Sequence, residues 1–200
     1  MVTEIRIYFE GHPNLREGFH EFLKDVRENA RNRRYRFQLV AGRGQAVRDF
    51  MKALRLHREA LNVLLLDSEQ PDDGRLFEEL SGRADWRPPA GAQVSSEQVF
   101  WMVQLMESWF LADPRTRSQF YGHGFRGNAL PSNPQVEQVP KDDVLNGLKD
   151  ATRATQKGAY SKTLHAPKVL RLLDPVRVVS AAPNCRRLFE NLRQGLADRV

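Results

Sequence analysis

The chain has 200 residues, a net charge of +6 and 40% hydrophobic residues, which is typical of a globular domain with a full core. The positive charge favours polyanionic partners such as nucleic acid, although it says nothing about fold. One cysteine, Cys185, excludes an internal disulfide and a cysteine-based zinc site. The opening segment Met1–Ile5 lacks the pattern of a signal peptide, and no apolar run reaches membrane-spanning length. We therefore expect a cytoplasmic protein with no membrane partner.

The first half of the chain alternates between strand and helix patterns. Residues 4–9, 35–41 and 62–66 are predicted as strands, and the apolar spacing predicts helices over 15–30 and 46–54. Strand, helix, strand, helix, strand, at about 30 residues per unit, predicts a parallel sheet with right-handed crossovers. We predict one α/β domain over residues 1–200, with a mainly parallel sheet flanked by helices.

The second half is predicted to be mainly helical. The core of the domain is expected over residues 1–121, and a long loop with a C-terminal helical elaboration over 122–200. Within these parts we predict a loop with a short helix (70–98), a fourth strand (99–103), a helix broken near Pro114 (104–121), an irregular connection (122–140), helices (141–156, 166–173 and 183–197) and a possible strand (176–179).

Acidic residues follow the predicted strands. Glu10 and Gly11 come directly after the first strand, and Asp67 and Glu69 come at the end of the third. Because the carboxyl ends of parallel strands meet at one edge of a sheet, these carboxylates are expected to converge there. Oxygen ligands of this kind suit Mg²⁺. The alternative is that each acid only caps the next helix.

Several segments carry a resemblance to a known fold. They are Tyr8–Gly11, Leu65–Glu69, Met102–Asp113, Tyr160–Lys162, His165–Lys168, Leu173–Pro175 and Cys185–Phe189. The chain resembles the Toprim fold of topoisomerases, bacterial primases and OLD-type nucleases. It resembles more closely a small Toprim-like family encoded beside ABC-type AAA ATPases in bacterial defence loci.

The resemblance implies a function as well as a Toprim-like sheet. Glu10 would be a metal ligand or general acid/base, and Asp67 and Glu69 would hold one or two Mg²⁺ or Mn²⁺ ions. The chain would be a nuclease that cleaves DNA or RNA in antiviral defence, working with an ABC-type AAA ATPase subunit. The alternative is a non-catalytic scaffold or binding subunit of that ATPase complex. Association into a homo-oligomer stays open.

Two positions depart from the Toprim pattern. Glu69 stands where the pattern usually has Asp, which keeps the carboxylate on a longer arm. Asn14 stands where related nucleases often have a second acid, and Glu17, about one turn further along, could substitute for it. Glu107 follows the fourth predicted strand and is a further candidate metal ligand.

Cationic residues are candidates for phosphate contacts. Lys162 and His165, and likewise His165 and Lys168, are three residues apart and share a face if this stretch is helical. Near a metal site, Lys162 and His165 would stabilise negative charge on a transferring phosphoryl group. A surface role is the alternative. A basic cluster formed by Arg31, Arg33, Arg34 and Arg36 is interpreted either as a solvated helix end or as a phosphate contact. Asp113, before Pro114, is predicted to cap a helix.

Overall fold

The computed structural model describes residues 4–197. Residues 1–3, which belong to the predicted domain and to the segment predicted to lack a signal peptide, and residues 198–200 of that domain lie outside the described range. The described residues form one four-stranded sheet from β1 (Glu4–Phe9), β2 (Arg36–Ala41), β3 (Ala60–Asp67) and β4 (Val99–Met102). The strand order is β2-β1-β3-β4, and every pairing is parallel. The predicted α/β fold with a mainly parallel sheet is therefore confirmed, and all four carboxyl ends lie at one edge.

Helices cover the sheet and build the C-terminal part of the described chain. They are α1 (Leu15–Phe22), α2 (Lys24–Asn32), α3 (Ala46–Leu56), α4 (Leu76–Ser81), α5 (Ser108–Leu111), α6 (Pro114–Tyr121), α7 (Lys141–Thr152), α8 (Ala166–Leu172), α9 (Pro175–Ala181) and α10 (Pro183–Ala197). The predicted helical elaboration is confirmed in α7 to α10. No helix in residues 4–197 is long and apolar enough to cross a membrane.

Apolar side chains from the strands pack on both faces of the sheet. Ile7 and Phe9 join a large core with α1, α2 and the C-terminal helices. Tyr8 and Leu64 point to the opposite face, where they pack with Phe50 of α3. Because helices cover both faces, β3 is apolar along most of its length, as in other buried parallel strands.

Close contacts at two glycines pack the C-terminal helices against α1 and the sheet. At Gly18 of α1, a Cβ atom would lie 2.8 Å from the carbonyl oxygen of Pro167 in α8. At Gly195 of α10, a Cβ atom would lie 2.6 Å from Cδ2 of Leu61 in β3. Helix α8 therefore sits directly on α1, which follows the end of β1. This contact brings the loop before α8 to the carboxyl edge of the sheet.

The predicted helix over residues 104–121 is wrong at its start. Gln104 has a φ of +61°, its backbone N–H donates to Ser68 Oγ at 2.6 Å, and its side-chain amide donates to the carbonyl oxygen of Val139 at 2.8 Å. These tertiary hydrogen bonds hold the segment as a turn, and helix begins only at α5. The cap predicted at Asp113 is confirmed, since its carboxylate accepts a hydrogen bond from Thr116 N–H.

Two further predictions are corrected. The possible strand over residues 176–179 is helical and lies in α9, because Asp174 accepts from the Val176 N–H at 2.9 Å and Pro175 starts the helix. The single helix predicted over 15–30 is two helices, α1 and α2, that meet at Leu23. Leu23 and the apolar residues of both helices stay buried, so the bend keeps one apolar stripe on the sheet.

Candidate functional site

The acidic residues at the strand ends open onto one cleft of about 220 Å³, here called the acid cleft. It lies at the carboxyl edge of the sheet, where ligands gather in open parallel sheets. Its wall comes from the loops after β1, β2, β3 and β4 and from the segment before α8. The lining residues are Glu10, Gly11, His12, Asn14, Leu15, Arg43, Asp67, Met106, Glu107, Lys162, Thr163 and Ala166.

Glu10 and Asp67 are brought together by strand pairing. Phe9 of β1 pairs with Leu65 of β3, and the next backbone N–H, that of Glu10, donates to the Leu65 carbonyl oxygen at 2.9 Å. Asp67 ends β3, and its Oδ1 accepts a hydrogen bond from the Met106 N–H at 2.9 Å. Both side chains are half-buried. The predicted convergence of the Glu10 and Asp67 carboxylates at the carboxyl edge of the sheet is therefore confirmed.

Gly11 makes the turn out of β1 possible. Its φ is +143°, and a Cβ atom at this position would lie 2.6 Å from Cδ1 of Leu15. A side chain would therefore be strained and would also collide with the first turn of α1. The glycine lets the chain reverse direction directly after Glu10, so that Glu10 stays at the mouth of the cleft.

Glu107 is the most buried acid of the cleft, with 2% of its surface exposed. It lies in the turn between β4 and α5. Its Oε1 accepts a hydrogen bond from the Tyr160 hydroxyl at 2.7 Å, and its Oε2 lies 3.7 Å from Lys162 Nζ. Tyr160 is itself buried, whereas Lys162 is about half exposed. The segment before α8 thus supplies both a neutral donor and a cation to this carboxylate.

Crowding of carboxylates perturbs the acid cleft. Burial and the Glu107 carboxylate raise the pKa of Asp67 well above its ordinary value, and Lys162 opposes this shift. Burial also raises the pKa of Glu10, with a further contribution from the charge of Glu69. Both residues therefore hold a proton more readily than an exposed acid does, which is the signature of negative groups forced together out of water.

Glu69 and Glu17 do not line the acid cleft. Glu69 has a φ of +60° and its exposed Oε2 accepts from Lys141 Nζ at 2.9 Å. The exposed Glu17 carboxylate pairs with Arg171 Nη1 at 2.7 Å. Asn14 does line the cleft, and its amide nitrogen donates to the carbonyl oxygen of Thr163 at 2.8 Å. Asn14 thus tethers the segment before α8 to the loop after β1.

His165 also lies away from the acid cleft. The residue is buried, its Nδ1 accepts from the Ser161 N–H at 3.2 Å, and its ring lies against Tyr121 and Tyr160. Burial lowers the pKa of His165, so a neutral, structural imidazole fits this environment. Lys168 is exposed on α8. Of the three basic residues suggested around α8, the structure brings only Lys162 to the cleft.

The four-carboxylate metal set predicted from the sequence is not assembled. Among residues 4–197, no group of three or more His, Cys, Asp or Glu side chains is arranged to hold a metal ion. Glu69 is directed to Lys141, and Glu107 is engaged by Tyr160 and Lys162. Glu10 and Asp67 remain the pair that the two central strands present together.

Comparison with known proteins places the chain in a family. The family model described as a domain of unknown function, DUF4276, matches residues 12–193, which is most of the chain. The chain belongs to the DUF4276 family. Comparisons with curated proteins and with solved structures found no match. The match to the DUF4276 model contains Asp67, Glu107, Tyr160 and Lys162, and it begins two residues after Glu10.

Two further groups contribute to the cleft of this DUF4276 protein. Arg43 lies in the turn after β2; from the sequence it is interpreted, like the basic cluster, either as a solvated side chain or as a phosphate contact, and the structure places it in the cleft. The Met106 N–H, which orients Asp67, has no signal in the sequence, because the turn that presents it depends on tertiary hydrogen bonds. The basic cluster precedes and begins β2, so it lies toward the opposite edge of the sheet.

Proposed function

We propose that the chain is a divalent-cation-dependent phosphodiesterase that cleaves nucleic acid. The observation that carries the proposal is the convergence of Glu10, Asp67 and Glu107 from three neighbouring strand ends in one cleft that also holds two cations. Two of the three acids that the Toprim resemblance implies, Glu10 and Asp67, line this cleft. The net positive charge of the chain fits a polyanionic substrate.

The residues present fit a hard divalent cation. Mg²⁺ typically takes one or two carboxylates and keeps several waters, so a pair of acids is sufficient. Glu10 and Asp67 would hold it, with Glu107 beside them. Their raised pKa values reflect burial and repulsion that a bound cation would relieve. Bound Mg²⁺ or Mn²⁺ supplies an activated water and offsets charge on a phosphate.

The chain's own groups would orient and neutralise the substrate. The Met106 N–H holds the Asp67 carboxylate in place, and the Tyr160 hydroxyl does the same for Glu107. The Lys162 ammonium and the Arg43 guanidinium border the cleft and would attract a phosphodiester to it. Glu69, which the resemblance included in the site, and His165, which its spacing from Lys162 suggested, have no part in this proposal.

Cation binding can be tested by titrating Mn²⁺ into the protein and following free Mn²⁺ by electron paramagnetic resonance. We expect one saturable site that is at least about tenfold weaker in Asp67→Asn and in Glu10→Gln, since each removes a charged ligand. Glu69→Gln is the matched control: its carboxylate lies outside the cleft and acts on Glu10 only through its charge, so binding should stay within about twofold of the wild type. Binding that both cleft variants retain in full contradicts the proposed site.

Cleavage needs its own assay. Plasmid, tRNA and bis(p-nitrophenyl) phosphate, each incubated with Mn²⁺, separate DNA, RNA and small diesters as substrates. Activity that Asp67→Asn abolishes and Glu69→Gln preserves supports the enzyme. A protein that binds Mn²⁺ at the cleft and cleaves none of these substrates, alone or with the proposed ATPase subunit, supports a non-catalytic role.

The second candidate is a non-catalytic scaffold or binding subunit. It is favoured by the contacts of Glu107, since Tyr160 and Lys162 already satisfy this buried carboxylate without an added ion. In either case the resemblance supports a cytoplasmic role in antiviral defence beside an ABC-type AAA ATPase. Co-purification of the tagged chain with any ABC-type AAA ATPase encoded beside it tests that association, and two separately eluting proteins contradict it.

A further inference from the structure

A second cavity, of about 540 Å³, lies beside α6 and the irregular connection that follows it, here called the α6 cavity. Its walls are mainly apolar and include Leu111, Phe125, Leu130 and Pro131. Cavities of this size and character are typical of sites for small organic ligands. The α6 cavity shares no lining residue with the acid cleft.

One charged side chain, Arg117 of α6, faces this apolar environment. Only 6% of the residue is exposed, and Nη2 donates to the carbonyl oxygen of Leu111 at 3.3 Å. The other two guanidinium nitrogens, Nε and Nη1, are buried and have no hydrogen-bond partner among residues 4–197. Buried donors without partners are rare in native proteins, because each costs about 1–3 kcal/mol.

The protein supplies little compensation for this charge. The carboxylate of Asp113, one turn earlier, attracts Arg117 electrostatically. However, this carboxylate already accepts hydrogen bonds from the N–H groups of Thr116 and Asp174, and it lies 3.9 Å from the Arg177 guanidinium. Arg117 is the sole charged residue among the described residues that line the α6 cavity. Burial lowers the pKa of Arg117 to about 10, so the side chain is still positive at neutral pH.

We propose that the α6 cavity binds an organic monocarboxylate, with the carboxylate paired to Arg117 and an apolar body against Phe125 and Leu130. A guanidinium and a carboxylate form charge-assisted hydrogen bonds, and the Arg117 side chain would turn toward the cavity to bring its two buried, unpartnered nitrogens to the ligand. A monoanion fits better than a phosphate dianion, since one cation beside the negative Asp113 cannot balance two charges. This site is independent of the proposed activity at the acid cleft.

The probe is 3-phenylpropionate, which carries one carboxylate on an apolar, aromatic body. Isothermal titration calorimetry compares it with the neutral 3-phenylpropionamide and with phenyl phosphate. We expect saturable binding of the acid at millimolar concentration and at least about tenfold weaker binding of the amide, as expected when a charge-assisted pair is lost. Phenyl phosphate, a dianion at neutral pH, should also bind more weakly than the acid.

Arg117→Met removes the charge and keeps an apolar chain of similar length. The variant is expected to fold, because replacing a poorly compensated buried ion by an apolar residue is often neutral or stabilising, and circular dichroism checks this. Binding of the acid should fall at least about tenfold. Arg115→Met is the matched control: Arg115 is exposed on the same helix and does not line the cavity, so binding should not change.

Three results overturn the proposal: no binding of the acid, equal binding of acid and amide, or equal binding by Arg117→Met and the wild type. If Arg117→Met does not fold, ¹⁵N spectra of the wild-type arginine side chains decide the question. A shift of the Arg117 Nε–H signal on adding the acid, and none on adding the amide, supports the site. Unmoved Arg117 signals overturn it.

Discussion

Tyr160→Phe is the most direct test of the network that holds the acid cleft. The substitution removes one hydroxyl, which donates a hydrogen bond of 2.7 Å to the carboxylate of Glu107, a residue that is only 2% exposed. Tyr160 is also buried, with 6% of its surface exposed, so water cannot easily replace the lost donor. A hydrogen bond to a charged group typically contributes about 1.5–3 kcal/mol. The free energy of unfolding should fall by that amount.

Tyr121→Phe provides a matched control. Tyr121 is 3% exposed, and its hydroxyl has no hydrogen-bond partner among the described residues. Removing a buried, unpartnered hydroxyl leaves the free energy of unfolding unchanged or raises it by about 1 kcal/mol. The two variants delete the same atom from the same residue type, so the difference between them isolates the bond to Glu107.

The assay is urea unfolding followed by circular dichroism at pH 7 with EDTA present. For a chain of this size, the expected loss in Tyr160→Phe corresponds to a melting temperature lower by roughly 3–12 °C. In a Glu107→Gln background the same substitution should cost less, because the acceptor is no longer charged. Equal stability of the two Tyr→Phe variants, or an unchanged cost in the Glu107→Gln background, refutes the reasoning.

Three further predictions concern the same edge of the sheet. The pKa of Asp67 is raised in the folded state, so its ionisation destabilises the fold as pH rises from about 4 through the raised value. Asp67→Asn should remove this loss of stability. In urea unfolding the variant should therefore be more stable than the wild type at pH 7 but not at pH 3. Gly11→Ala should cost about 1–3 kcal/mol in unfolding free energy, because of its positive φ. The exposed pair of Lys141 and Glu69 should show no measurable coupling in a double-mutant cycle, because solvent screens it.

Much of the sheet could be predicted from residue pattern. The strands begin or end within two residues of the predicted bounds, because alternation and continuous apolar runs report burial directly. The strand predicted over residues 176–179 is wrong, because residue pattern alone misled there. Its three valines favour a strand, but Asp174 and Pro175 start a helix. A local cap outweighed β propensity there.

The site could be predicted only in part. Glu10 and Asp67 follow from topology, since adjacent parallel strands must end side by side. Glu69 looked equivalent to Asp67 in sequence, yet its left-handed backbone turns the side chain to Lys141. His165 has suitable chemistry, but its position at the start of α8 places it among aromatic rings.

The amino-acid sequence by itself determined the alternation of strands and helices, the parallel direction of the sheet and the edge where acids gather. These depend on short-range periodicity and on the rules for connecting parallel strands. Only the tertiary structure decided which side chains meet there. Tyr160 reaches Glu107 from 53 positions away, because α8 packs on α1 and the turn after β4 is held by hydrogen bonds to distant segments. Such contacts arise from the packing of whole elements, which no local pattern encodes.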